Sequence, residues 1–296
     1  MSQTQMRADR SGFLLIAIAA MLWGTVGVST KTIYTLSEAT PLSVGFFRLV
    51  IAAPALWIAA AALFRGQTFT IERRAVLPSV LIGGMLALYQ LCYFTSITYV
   101  GVAIATLITL CGAPVMVALI ESLLARAWLS QRVLLAMGLA LGGTILLVGW
   151  DQLRAGSTNL IGIAFALGSA FGYALLTVVG RRIAGWLDPI RTNALAFSSG
   201  ALLLLLLTAP QGLVVDYSLP AWGIILYLGL VPTAFAYGLF LRGMQTTSAT
   251  TASIITLMEP LTATMLAWLL FGERLGAWGI AGTLILVAAL WLVSTE

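Results

Sequence analysis

Four ionisable side chains, Lys31, Arg48, Glu121 and Glu259, stand inside long apolar runs of this 296-residue sequence. A charge buried in hydrocarbon costs several kcal/mol unless it meets a partner or water. Arg48 comes six residues after Leu42, where its run begins, which at a helical rise of about 1.5 Å per residue is about 9 Å down and beyond easy snorkelling. Glu259 comes about eleven residues into its own run, roughly 17 Å from the edge where that run begins in a roughly 30 Å core. Opposite charges at comparable depth offer two chemistries. One is a structural ion pair; the other is a zwitterion site, with Arg48 taking a carboxylate and Glu259 an amine. Lys31 is nearer the end of its run, where its stem reaches the headgroups and Glu38 is a candidate counter-charge. Glu121 is within one turn of a run's end, where water reaches a carboxylate.

Flat rings with polar tips accompany these charges. Trp23 is about ten residues into the first run, too deep for an interfacial belt, and Tyr173 holds the matching place later in the chain. Tyr89, Tyr93, Tyr99 and Tyr237, with Phe235, complete a set suited either to a cavity for aromatic solutes or to ordinary helix packing. Pro114 and Pro260 fall inside apolar runs, where a missing N–H weakens the helix ladder, and are candidate bends opening a central vestibule.

Other chemistries are excluded or unsupported. The sequence contains no histidine, so a Ser/His protease or a His-ligated metal centre is out. Cys92 and Cys111 both lie in apolar segments and suggest neither a disulfide framework nor a metal site. No Gly-rich phosphate loop ending in Lys and Ser or Thr is present. The expectation is a protein that is not an enzyme and carries no cofactor and no metal.

The elements that must position these residues are membrane spans. Hydrophobic residues make up 60% of the sequence and charged ones 8%, and mean hydropathy is +1.04, a balance no water-soluble surface tolerates. Runs of span length are expected at 13–33, 42–64, 75–97, 101–123 and 133–149, then at 160–180, 192–209, 220–241, 248–270 and 277–293. Arg7, Arg10, Arg65, Arg73, Arg74, Arg126, Arg132, Arg181, Arg182, Arg191 and Arg242 then share one side, against Arg154 and Arg274 on the other. By the positive-inside rule the first side, with both termini, is cytoplasmic. Because the net charge of +5 is spread over short loops, it reads as topology rather than as nucleic-acid binding. Trp57, Trp128, Trp150, Trp186, Trp222 and Trp278 cluster near span ends as interface anchors, and Gly138, Gly142 and Gly143 are spaced for close helix approach.

The chain also repeats itself. Laying 12–33 on 162–183 brings Trp23 onto Tyr173 and Lys31 onto Arg181; a slightly different offset brings Pro41 onto Pro189, Ala103 onto Ala249 and Pro114 onto Pro260. Five spans per repeat is an odd number, so the halves, 1–150 and 158–296, must enter the membrane from opposite sides. The fold class expected is an all-α polytopic membrane protein of ten transmembrane helices in two inverted five-helix repeats.

Met21-Leu22-Trp23-Gly24, Pro41 followed by Arg48, Tyr99-Val100-Gly101-Val102-Ala103, Pro114, Pro260 and Phe271-Gly272-Glu273-Arg274 occur in this order along nearly the whole chain. In that order and spacing the sequence resembles the drug/metabolite transporter superfamily, and within it the EamA-type ten-helix exporters. The first half departs from the pattern, with Arg126 and Ala127 standing where Gly272 and Glu273 have their counterparts. Among these relatives the chain is most similar to YddG-type exporters. That resemblance implies export of aromatic amino acids and flat aromatic cations across the inner membrane. The expected partners are thus a small-molecule substrate, an aromatic or neutral amino acid, and the lipid bilayer. A channel-like facilitator with the same cavity is the alternative, and an intramembrane enzyme or assembly subunit a distant third.

Overall fold

A computed structural model of the chain describes residues 3–64, 72–149, 159–186, 188–209, 212–271 and 276–294. Ten helical spans run through it, and the described residues contain no strand. In chain order they are α1 (Gln3–Leu36), α2 (Pro41–Phe64), α3 (Arg73–Gly101), α4 (Ile104–Ala125) and α5 (Gln131–Leu147), then α6 (Leu160–Ile183), α7 (Pro189–Thr208), α8 (Leu219–Gly243), α9 (Ala249–Leu270) and α10 (Ala277–Ser294). Helices dominate because no water in the bilayer core can satisfy a backbone N–H or C=O, so each span must bond its own. Where a new helix begins, a side chain often takes the orphan amides. Ser130, Asn159, Asp188, Ser218 and Ser248 each accept from amides of the first turn that follows.

Packing follows the sequence repeat. α6 lies on α3 and α4, and its repeat mate α1 lies on α8 and α9; α2 packs on α7, and α5 on α10. The same swap of halves turns the α2–α8 contact into the α3–α7 contact. The α5–α10 seam is backbone against backbone. A Cβ on Gly282 would lie 2.6 Å from the Gly143 carbonyl oxygen, and one on Gly143 would lie 2.9 Å from that of Gly282. Of the three glycines expected to mediate close approach only Gly143 does so, because Gly138 and Gly142 have open space beside them. α3 and α4 follow one another directly across a kink at Gly101, whose φ of 79° and ψ of 165° lie outside the helical region.

Arg73, Arg74, Arg126, Arg132, Arg181, Arg182, Arg191 and Arg242 all gather at one end of the bundle, called here the basic end. Two of them cover rings there: Arg191 sits 4.0 Å over Phe64, and Arg74 sits 5.6 Å over Trp186. Arg65, Arg154, Gly272, Glu273, Arg274 and Trp150 lie outside the described residues, as do the side chains of Arg7 and Arg10.

Candidate functional site

The site is built where two spans of the second half lose their regular ladders, each at a proline. In α8 the residues Gly229–Phe235 wind as a π-helix around Pro232. The carbonyl of Leu228 would normally accept from the amide four residues on, but that residue is Pro232 and has no N–H. The hydroxyl of Thr233 replaces it, donating to the Leu228 oxygen at 2.7 Å. The displaced groups recruit the first half: the Trp23 indole Nε1–H donates to the Pro232 carbonyl at 2.8 Å, and Arg48 Nε donates to Thr233 Oγ1 at 3.1 Å. One irregular turn therefore anchors both of the deep polar residues of α1 and α2.

The second interruption divides α9 into Ala249–Ile255 and Met258–Phe271. Pro260 causes it, for the same reason. The Thr256 carbonyl, four residues earlier, takes the Glu259 amide at 2.9 Å instead, and the Leu257 amide bonds Ile254 at 3.1 Å, so the chain tightens into turns three residues apart. Glu259 thus opens the second piece of a discontinuous span. α1 comes close because residue 24 is glycine: a Cβ there would stand 2.8 Å from the Glu259 carbonyl oxygen and 2.7 Å from Thr262 Cβ. Pro114 behaves differently, since α4 continues through it without a break.

Around these two breaks the rings assemble. Trp23, 5% exposed, has Tyr237 at 4.9 Å and Phe240 at 5.2 Å between ring centres, and Phe197 meets Tyr237 edge-on. On the facing side Tyr89 stacks with Tyr93 at 6.3 Å and meets Tyr173 at 5.7 Å. The Tyr93 hydroxyl is hydrogen-bonded to Thr106 at 2.6 Å, and the Tyr173 side chain meets Thr256 beside the α9 break. Glu259 lies within electrostatic reach of Arg48 and of Tyr89, Tyr93, Tyr173 and Tyr237.

Arg48 and Glu259 nevertheless form no ion pair within 4.0 Å among the described residues. Among the described residues Arg48 uses only Nε in a side-chain hydrogen bond, and the Glu259 carboxylate makes none. Both residues are half-buried.

Trp23, Arg48, Tyr89, Tyr93, Tyr173, Tyr237 and Glu259 are thus gathered into one zone. Tyr99 is not part of it: 42% exposed, it stacks on Phe165 near the end of α3. Lys31 is exposed towards the other end of α1, and Phe235 faces outward at 57% exposure. Thr233, Pro232 and Thr256 escaped the sequence reading. Their signal was a threonine beside, or four residues before, a proline within an apolar run.

The EamA-like transporter family model matches this chain twice, over residues 10–149 and 160–295. The uncharacterized transporter YwfM of Bacillus subtilis is 29% identical over 95% of this chain and 93% of its own length. The uncharacterized inner membrane transporter YicL of Salmonella typhimurium is 27% identical over 98% and 97%. A solved crystal structure with 20% identity shares the fold at a TM-score of 0.81, covering 95% of this chain and 96% of that one. Two matched repeats on a ten-helix bundle make the conclusion plain: the chain belongs to the EamA-like transporter family.

Proposed function

We propose that this membrane transporter exports small metabolites, aromatic or other neutral amino acids and related aromatic compounds, across the cytoplasmic membrane by alternating access. The carrying observation is that Arg48 and Glu259, both half-buried, share the zone of the two helix breaks without pairing with each other among the described residues. Buried opposite charges that served only the fold would be expected to neutralise one another. Left apart, the guanidinium fork takes a carboxylate and Glu259 takes an ammonium group, while Tyr89, Tyr93, Tyr173, Tyr237 and the Trp23 edge flank an aromatic body. A site between inverted repeats at a broken helix is where secondary transporters bind their cargo. The arginines at one end favour placing that end, and both termini, in the cytoplasm. On this reading Lys31, Tyr99 and Pro114 stay outside the substrate contacts.

Purified protein in liposomes, given radiolabelled amino acids and aromatic cations with and without an imposed proton gradient, tests the reading. Expected is saturable uptake of an aromatic amino acid with counterflow. Flux without saturation or counterflow supports the channel-like alternative, and saturable uptake confined to non-aromatic, non-zwitterionic solutes rejects the substrate class.

A further inference from the structure

Glu121 lies outside the zone just described, on α4, and the mechanism above makes no use of it. Its carboxylate accepts from the Thr250 amide at 2.8 Å and the Ala249 amide at 3.3 Å, and also from the Thr250 hydroxyl. These are the first groups of α9, so a side chain of the first half holds the start of a broken span of the second half.

The helices fall into two sets, α3, α4 and α6 on one side and α1, α8 and α9 on the other. Contact between the sets is concentrated at the basic end. The short piece Ala249–Ile255 packs on α4 and α6, where Val117, Ala174 and Ala249 are fully buried together with Val178. Just beside it Gln245 Nε2 donates to the Ala184 carbonyl at 2.7 Å, and Leu241 and Met244 close over Gly180. The longer piece, Met258–Phe271, packs on α1 and more lightly on α10 and the end of α5. Among the described residues it has no comparable packing on α3, α4 or α6. The two sets therefore meet at the basic end and part beyond the break at Thr256–Leu257.

The repeat supplies no second copy of this tie. The offset that lays Pro114 on Pro260 lays Glu121 on Ala267, and an alanine side chain has no acceptor to offer the start of α4.

We infer that Glu121 is the latch of the basic-end gate: it closes the transport path by holding Ala249–Ile255 against α4 and α6, and its release lets that piece swing about Thr256–Leu257. The inference rests on the alternating-access reading and names the gate residue that reading lacks. Substrate does not touch Glu121; the residue acts through α9.

The test uses full-length protein carrying Cys92→Ala and Cys111→Ala with one reporter, Val178→Cys at the closed end or Thr106→Cys at the start of α4, towards the opposite end. Labelling by a membrane-impermeant maleimide is followed in detergent and in liposomes. Losing one charge-assisted hydrogen bond shifts an equilibrium by about tenfold or more. Glu121→Ala should accordingly raise labelling at Val178→Cys by about that factor and lower it at Thr106→Cys, with Glu121→Gln falling between. A cap that serves folding alone would lower the melting temperature and leave both rates as they were, and that result in folded Glu121→Ala overturns the latch. Should Glu121→Ala fail to fold, Glu121→Gln and Thr250→Val read the same two rates with the same consequence. Faster labelling at Val178→Cys without any fall at Thr106→Cys sustains the latch but overturns alternating access in favour of a leak.

Discussion

Thr233 shows how a single hydroxyl decides the geometry of the site. It serves as donor to the Leu228 carbonyl and as acceptor from Arg48, and it is 1% exposed. Thr233→Val keeps the shape and removes both bonds, leaving Arg48 Nε without its acceptor; a loss of about 1–3 kcal/mol of stability is expected. Thermal unfolding in detergent measures it. Transport by the surviving protein should show a raised KM, because the guanidinium loses its anchor, and Thr233→Ser should restore both. Glu259 carries a different prediction. Glu259→Gln retains shape and hydrogen-bonding capacity but cannot titrate, so a coupling role predicts normal expression with loss of the pH dependence of transport. A purely structural partnership with Arg48 predicts poor expression rescued by Arg48→Met instead. Wild-type flux at every pH in Glu259→Gln would remove this residue from the site.

The elements are where proline and glycine act. Pro232 and Pro260 each deprive a carbonyl four residues earlier of its donor, and the chain answers once with a π turn and once with a complete break. Pro114 has the same chemistry within α4 and no break, so a proline by itself does not fix the outcome. Gly101 is the clearest case of a backbone requirement. Its φ of 79° with ψ of 165° is a region that L side chains rarely occupy, yet an added Cβ would meet nothing within 4 Å. Gly101→Ala should therefore cost about 1–3 kcal/mol through backbone conformation alone. A smaller loss, read from the melting temperature, would mean that the α3–α4 junction relaxes to another conformation.

At the scale of the whole molecule the arginines at one end set the expected topology. The segment between α2 and α3, bearing Arg73 and Arg74 at the start of α3, should face the cytoplasm, and the segment between α7 and α8 should face outward. Single cysteines introduced in each segment and labelled in intact cells with an impermeant reagent check this. Labelling of the first segment would reverse the orientation and, with it, the sense of export.

The ten spans, their division into two repeats and the crowding of positive charge at one end were all legible in the residues. A helix in lipid must satisfy its own backbone, so hydrophobic length alone marks it, and loop charge orders the ends. Counting along the spans puts Trp23 near mid-membrane and Arg48 and Glu259 at comparable depths, and the three meet in one zone of the bundle. Rotation about each helix axis was not legible. Phe235 and Tyr237 are two residues, about 200° of helix, apart, and only the assembled bundle decides that Phe235 faces out while Tyr237 packs on Trp23. The pairing of the charges was equally hidden, since Arg48 is held by Thr233 and not by Glu259. So was the partner of Glu121, the start of a helix 128 residues away. Between spans that lipid solvates as well as they solvate each other, association rests on close packing and single hydrogen bonds, and those exist only once the helices are assembled in three dimensions.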